Sequence, residues 1–285
     1  MGNSFNDLAL IIFTTLAPAG VVAYLCIAAF LITRKEFTEQ HDRLNHMLMI
    51  VLFLAWVGFI ASATHLGTPA NALHVVWGVG RSPLSNEVAA AVVFLFLSGM
   101  YWMYTFKETY SVLFAKVLLG ASMVSACVML YFTSYAYNVP TVVSWDTGFA
   151  PAHLIVNGLF SGTALATFVL FTARCNAQMW PWILVLVSMI MLITSTIFGF
   201  AHVENLQNTT NNICTALSVF PQYPLYILAH ICVGSAGVAA LVFGMRLNTS
   251  FKRGAFFAGI GVIVIIAAAF IMRYPFYATY LSVGF

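Results

Sequence analysis

The sequence predicts an all-α fold, a polytopic membrane bundle of about eight transmembrane helices with both termini outside. Three observations carry this. Of the 285 residues, 62% are hydrophobic and only 7% charged, whereas a soluble domain carries about 25% charged residues. Mean hydropathy is +0.95. The apolar residues also fall into runs of spanning length, about 20 residues each. A net charge of +3 in this setting has no implication of nucleic acid.

The runs separate with a spanning-length window. The first covers Leu8 to Thr33 and stops at Arg34-Lys35-Glu36; the second covers Leu44 to Thr64. A connection marked by Gly and Pro follows, through Gly67, Pro69 and Pro83. The third run starts near Ser85 and ends before Lys107, the fourth covers Val112 to Tyr135, the fifth Ala150 to Ala173, and the sixth Trp180 to Ala201. A polar loop from Glu204 to Gln222 precedes the seventh, Tyr223 to Met245, and the eighth covers Ala255 to Tyr280. The expectation is one transmembrane domain over 1–285, divisible into four-helix halves of about 1–137 and 138–285. With no basic residue before Arg34, a signal-peptide n-region is missing, and the first helix is expected to remain in place.

Orientation follows from the basic residues, which collect on the cytoplasmic side. Arg34, Lys35, Arg43, Lys107, Lys116, Arg174, Arg246, Lys252 and Arg253 flank the odd-numbered connections, leaving only Arg81 and Arg273 on the other side. Trp77, Trp102, Trp145, Trp180 and Trp182 stand near helix ends, as interfacial tryptophans do. In a bacterium this puts the protein in the inner membrane with connections two, four and six facing the periplasm.

The five cysteines, Cys26, Cys127, Cys175, Cys214 and Cys232, show no C-x-x-C pair and no iron–sulfur or zinc spacing. No metal site is expected, and no phosphate loop or hydrolase elbow is present. Polar residues concentrate instead at the outer face: His65, His74, His153 and His202, with Glu87 in the first turn of the third helix and Arg273 in the outer part of the eighth. Ionisable groups at membrane depth are costly and line cavities or proton paths. Each also has a plain structural account. His65 can cap the carbonyls of its helix, Glu87 can answer the helix dipole, and Arg273 can snorkel to the interface.

The stretch Gly58-Phe59-Ile60-Ala61-Ser62-Ala63-Thr64-His65-Leu66-Gly67-Thr68-Pro69 resembles the second-helix signature of the dimethyl sulfoxide reductase membrane anchor subunit, and Leu84-Ser85-Asn86-Glu87 resembles the opening of that family's third helix. Asn138-Val139-Pro140-Thr141, and Arg273 with Phe276-Tyr277, echo it more weakly. The resemblance implies a non-catalytic, haem-free anchor that carries a menaquinol-oxidation site. It also implies partners docked on the outer face, a four-cluster iron–sulfur subunit and a molybdopterin catalytic subunit. His65 aligns with the family's quinol-site histidine and Glu87 with its partner acid. Gly67, Pro69, Ser85, Arg273 and Tyr277 complete the expected menaquinone/menaquinol pocket. Oxidising a quinol releases two electrons and two protons, and a histidine with ordinary pKa near ~6.5 suits the first proton.

Two other classes stay open on these residues. A dihaem cytochrome b places axial histidines at facing depths, but His46 and His65 lie at opposite ends of one helix, about 28 Å apart at about 1.5 Å per residue. A transporter shows inverted repeats and broken helices, and here there is only a faint parallel between halves whose second helices end in His65 and His202.

Reporter fusions at Thr38, Lys107, Arg174 and Asn248 are expected to report cytoplasm, and those at Thr68, Val143 and Asn211 the outside. Two or more connections on the wrong side would overturn this orientation.

Overall fold

A computed structural model of the protein describes residues 4–33, 39–64, 74–107, 109–174, 179–247 and 250–283. In hydrocarbon every backbone polar group must be satisfied within the segment, so apolar runs of this length become helices. Among the described residues, eight helices are long and apolar enough to cross a membrane. They are α1 (Ser4–Ile32), α2 (Glu39–Thr64), α4 (Pro83–Tyr104), α5 (Val112–Tyr135), α6 (Phe149–Thr172), α7 (Trp180–Asn208), α9 (Tyr223–Arg246) and α10 (Phe251–Ala278). Two single-turn helices, α3 (His74–Trp77) and α8 (Ala216–Val219), lie in connections. Each span is continuous, even where Pro18 and Pro275 interrupt the ladder of α1 and α10.

Two boundaries differ from the sequence expectation in ways that matter. The sixth span runs on to Asn208 rather than stopping at Ala201, because Val203 and Leu206 extend its buried face against Tyr223 and Ile227 while Glu204 points outward. His202 and Glu204 are therefore helical residues, and the connection begins at Thr209. The third span starts at Pro83, which supplies the fixed φ favoured at a helix start. That moves Glu87 out of the first turn into the second, where the dipole account of it weakens.

α1 and α6 form the centre. In their core windows 72% and 83% of residues are buried, against 28–39% in the other six spans. α1 packs on α2, α5, α6 and α10; α6 packs on α7 and α10 as well. The α1–α2 register is set by small residues, Gly20 against Val51 and Ala55, and Gly58 against Ala17. Continued outward, this antiparallel register puts Thr64 level with Ile11, less than one turn beyond Thr14.

The end at which α1 begins and α10 finishes is closed by its connections. Val142 bridges to Ser282, Leu281 N–H donates to Ser144 Oγ (3.1 Å), and Val283 N–H donates to the Thr141 carbonyl (3.3 Å). Asn211 accepts from Ile213 and Cys214 N–H through Oδ1 (2.9 Å each), and its Nδ2 donates to the Ser282 carbonyl (3.3 Å). The residues that follow α10 thus pin two connections to one face.

α9 and α10 touch backbone to backbone, the small-residue packing that substitutes for a hydrophobic driving force in lipid. A Cβ on Gly261 would stand 2.5 Å from the Leu241 nitrogen and 2.8 Å from the Gly237 carbonyl oxygen. Gly261→Val is expected to lower the thermal unfolding midpoint in detergent, by the equivalent of about 1–3 kcal/mol typical of overpacking. Gly120→Ala, with open space around the added methyl, serves as the control and leaves the midpoint unchanged or slightly raised. Equal behaviour of the two would refute this contact.

Candidate functional site

The turn before α4 sets the position of Glu87. Gly80 takes φ +82°, a conformation that favours glycine, and its N–H donates to Asn86 Oδ1 (2.6 Å). Ser85 is buried beside Gly78 of the same turn. Glu87 stands four residues in from Pro83, about 6 Å along the axis, with 1% of its surface exposed. Neither carboxylate oxygen has a protein hydrogen-bond partner among the described residues. The Thr133 hydroxyl of α5 faces it outside hydrogen-bonding geometry, and Arg273 of α10 is the cation within electrostatic reach.

Arg273 is also 1% exposed, so it does not snorkel. Its Nε donates to Thr14 Oγ1 (3.1 Å), the Tyr277 hydroxyl donates to the same oxygen (3.2 Å), and Thr14 donates onward to the Leu10 carbonyl (2.7 Å). That exhausts the hydroxyl's one proton and two lone pairs. The guanidinium lies over three rings, 4.2 Å from the centroid of Phe276, 5.2 Å from Tyr277 and 5.7 Å from Tyr137. Phe276 is held in turn by Trp145, which stacks on it at 5.3 Å and donates Nε1–H to its carbonyl (3.0 Å). Both Nη atoms have no protein acceptor among the described residues. Each in-helix proline adds a free acceptor, since it has no N–H for the carbonyl four residues back: Thr14 in α1 and Ile271 in α10. In the connection after α5, burial pushes the Tyr137 phenol well above the usual tyrosine range; Tyr277 and Glu87 push the same way and Arg273 opposes. Tyr137 is therefore a neutral donor at any physiological pH.

On the other side of Arg273 is a second group. His153 of α6 and His202 of α7 face each other with ring centroids 6.0 Å apart, both buried, and none of their four ring nitrogens has a partner among the described residues. Asn157 and Ser195 continue the seam one level deeper, with Ser195 Oγ donating to Asn157 Oδ1 (3.1 Å). The Tyr223 hydroxyl is buried and unpaired there too. His230, which sequence reasoning passed over, lies seven residues into α9. Its Nδ1 donates to the Ala268 carbonyl (2.8 Å), so a neutral ring offers Nε2 as an acceptor.

A buried polar group without a partner costs about 1–3 kcal/mol, and whole-domain stability is only about 5–15 kcal/mol. Glu87, Thr133, Arg273, His153, His202 and Tyr223 carry such unpaired atoms toward one end of the bundle, and His230 carries one deeper. Such groups can be met by water or ligand oxygens. Phe149, Tyr223 and Phe276 surround the His202 ring at 5.3, 5.7 and 6.5 Å. Among the described residues no group of three or more His, Cys, Asp or Glu is placed to hold a metal ion.

Of the residues singled out in the sequence, Glu87, Arg273 and Tyr277 come together, and Ser85 sits in the adjoining turn. His65, Gly67 and Pro69 lie outside the described residues; α2 is described up to Thr64. The α1–α2 register brings that helix end within a turn of Thr14, the residue that ties Arg273 and Tyr277 together.

The family model described as DMSO reductase anchor subunit (DmsC) matches residues 1–279. An anaerobic dimethyl sulfoxide reductase subunit from Haemophilus influenzae is 25% identical over 287 residues, covering 100% of the present sequence and 98% of the relative. Two anaerobic dimethyl sulfoxide reductase subunits from Escherichia coli, one of them YnfH, are 26% (YnfH) and 23% identical, each over 286 residues with the same coverage. Matched over nearly its whole length, this protein belongs to the DMSO reductase anchor subunit family and is a multi-pass protein of the bacterial inner membrane.

Proposed function

We propose that the protein is a haem-free anchor that binds menaquinol near the periplasmic face and oxidises it. Electrons pass to an iron–sulfur subunit of a molybdopterin-dependent respiratory reductase of the dimethyl sulfoxide reductase type. The observation that carries this is the buried, unpaired carboxylate of Glu87 facing Arg273 beside the end of α2. A quinol needs hydrogen-bond partners for two hydroxyls and a base for each departing proton. Glu87 offers two acceptor oxygens, and Arg273 offers two free Nη donors to a ring oxygen as charge builds on it. His65, the residue after Thr64, is the proposed first proton acceptor, with Gly67, Pro69 and Ser85 shaping the pocket. Tyr277 and Thr14 hold Arg273 in place.

The woven face made by the connections around Val142, Asn211 and Ser282 is the proposed docking surface for the iron–sulfur subunit and, through it, the catalytic subunit. The helix contacts also support two four-helix halves, about 1–137 and 138–285. α1 packs on α2 and α5, α2 on α4, and α4 on α5; α6 packs on α7 and α10, α7 on α9, and α9 on α10 in the same pattern. Both sets run in one direction through continuous helices, which speaks against the inverted, broken-helix plan of many transporters.

His65→Arg removes the base while keeping a cationic donor. Glu87→Gln removes the charge while keeping the shape. Each is expected to lower quinol-driven turnover of the assembled complex by about 10²–10⁴-fold, the range for a general acid–base group. Turnover driven by a soluble dye that reduces the catalytic subunit directly should be retained. Parallel loss of both rates would mean that these residues hold the complex together instead.

A further inference from the structure

Between α4 and α5 runs an open groove of about 750 Å³ whose lining is almost wholly apolar. One end lies at Gly80, Asn86 and Phe132, the other at Leu97 and Ala121. The distance from Asn86 to Leu97 is about 16 Å of helix, roughly half the hydrocarbon thickness. Small residues make the groove: Ala90 and Ser125, both buried, form its floor. The Ser125 hydroxyl is already donated to the Ser122 carbonyl (2.9 Å), so the floor offers no free proton. Val93 and Val124, each half or more exposed, stand along its sides.

The groove runs beside the candidate site. Asn86 and Phe132 at its outer end are the sequence neighbours of Glu87 and Thr133, which turn inward to face each other. Ala90 on the floor lies one helical turn below Glu87, on the same face. A second apolar groove, between α7 and α9, reaches Trp182 and Arg246 at the opposite face and has no such link to Glu87. A ligand whose polar ring occupies the Glu87–Arg273 site and whose substituent is a long hydrocarbon must carry that substituent out through apolar walls.

We infer that the α4–α5 groove is the binding site for the isoprenoid tail of the quinol. This rests on the quinol-site reading above. Gly80, held by its hydrogen bond to Asn86, forms the rim where ring and tail part. The walls make no directional contacts, so they select for an extended apolar tail and not for its end.

The test uses the intact complex in native membranes with two substrates, a full-length polyprenyl menaquinol and its tailless analogue menadiol. Ala121→Phe and Val93→Trp each fill the groove from a different helix. Each is expected to raise KM for the long-tailed quinol several-fold, because the added side chain occupies the space the tail would fill. KM for menadiol and dye-driven turnover should not move. Leu113→Trp, exposed on α5 outside the groove, is the lipid-facing control and leaves both substrates alone. If KM for both substrates shifts equally, or for neither, the groove holds ordinary lipid tails and the inference falls. Failure of the head-group reading looks different: Glu87→Gln would then leave turnover of both quinols intact.

Discussion

A guanidinium held inside a membrane bundle is the constraint around which this molecule is arranged. Arg273 is the largest fully buried side chain among the described residues, and a charge at that depth persists only where the protein supplies its surroundings. Those surroundings come from both ends of the sequence. Thr14, in the first span, accepts its Nε–H; Tyr137, from the middle connection, and Phe276 and Tyr277, one turn on, cover it with ring faces. Trp145 then fixes Phe276 from outside. The burial of α1 between the other helices follows from this demand as much as from its hydropathy. A first helix left on the periphery could not deliver Thr14 to the eighth span.

The sequence disclosed the spans because the bilayer imposes one length and one composition on all of them. It disclosed Glu87 and Arg273 because charges are so rare in this protein that each asks for a reason. It did not disclose what they face. His153, Asn157 and Ser161 recur at four-residue spacing on α6, and Ser188, Ser195 and His202 at seven-residue spacing on α7, so each stripe was legible as one helical face. That the two stripes meet depends on the rotation of two helices about their axes, which no single helix encodes. His230 was missed for a related reason. Seven residues into its span it lacks the helix-end position that drew notice to the other histidines, and only its bond to the Ala268 carbonyl shows which way it points. The end of α7 was misjudged because polar residues on an exposed face read as a loop, while Val203 and Leu206 kept the buried face running.

The outer belt and the rest of the bundle obey opposite rules. Deeper in the membrane, serine and threonine hydroxyls are spent on carbonyls of their own or neighbouring helices, as with Ser161, Thr167 and Ser188. Within the last two turns, Glu87, His153, His202 and Tyr223 stand buried with polar atoms unspent. A protein selected only for stability would have made those positions apolar, since swapping buried polar groups for apolar ones of like shape is neutral or favourable. Retaining these four toward one side is what the proposed quinol site requires.

Under the two-half reading, the buried acid and the buried base belong to different halves. Glu87 comes from the third helix of the first half and Arg273 from the fourth helix of the second. Among the described residues, neither buried charge has a buried opposite within its own half. The contact between α1 and α10, through Thr14, closes the seam between them at the depth where Glu87 and Arg273 face one another. Of the buried histidines of the second half, His153 and His202 stand on its first and second helices, whereas Glu87 stands on the third helix of the first half, so the two halves share a packing plan without repeating their polar groups position for position.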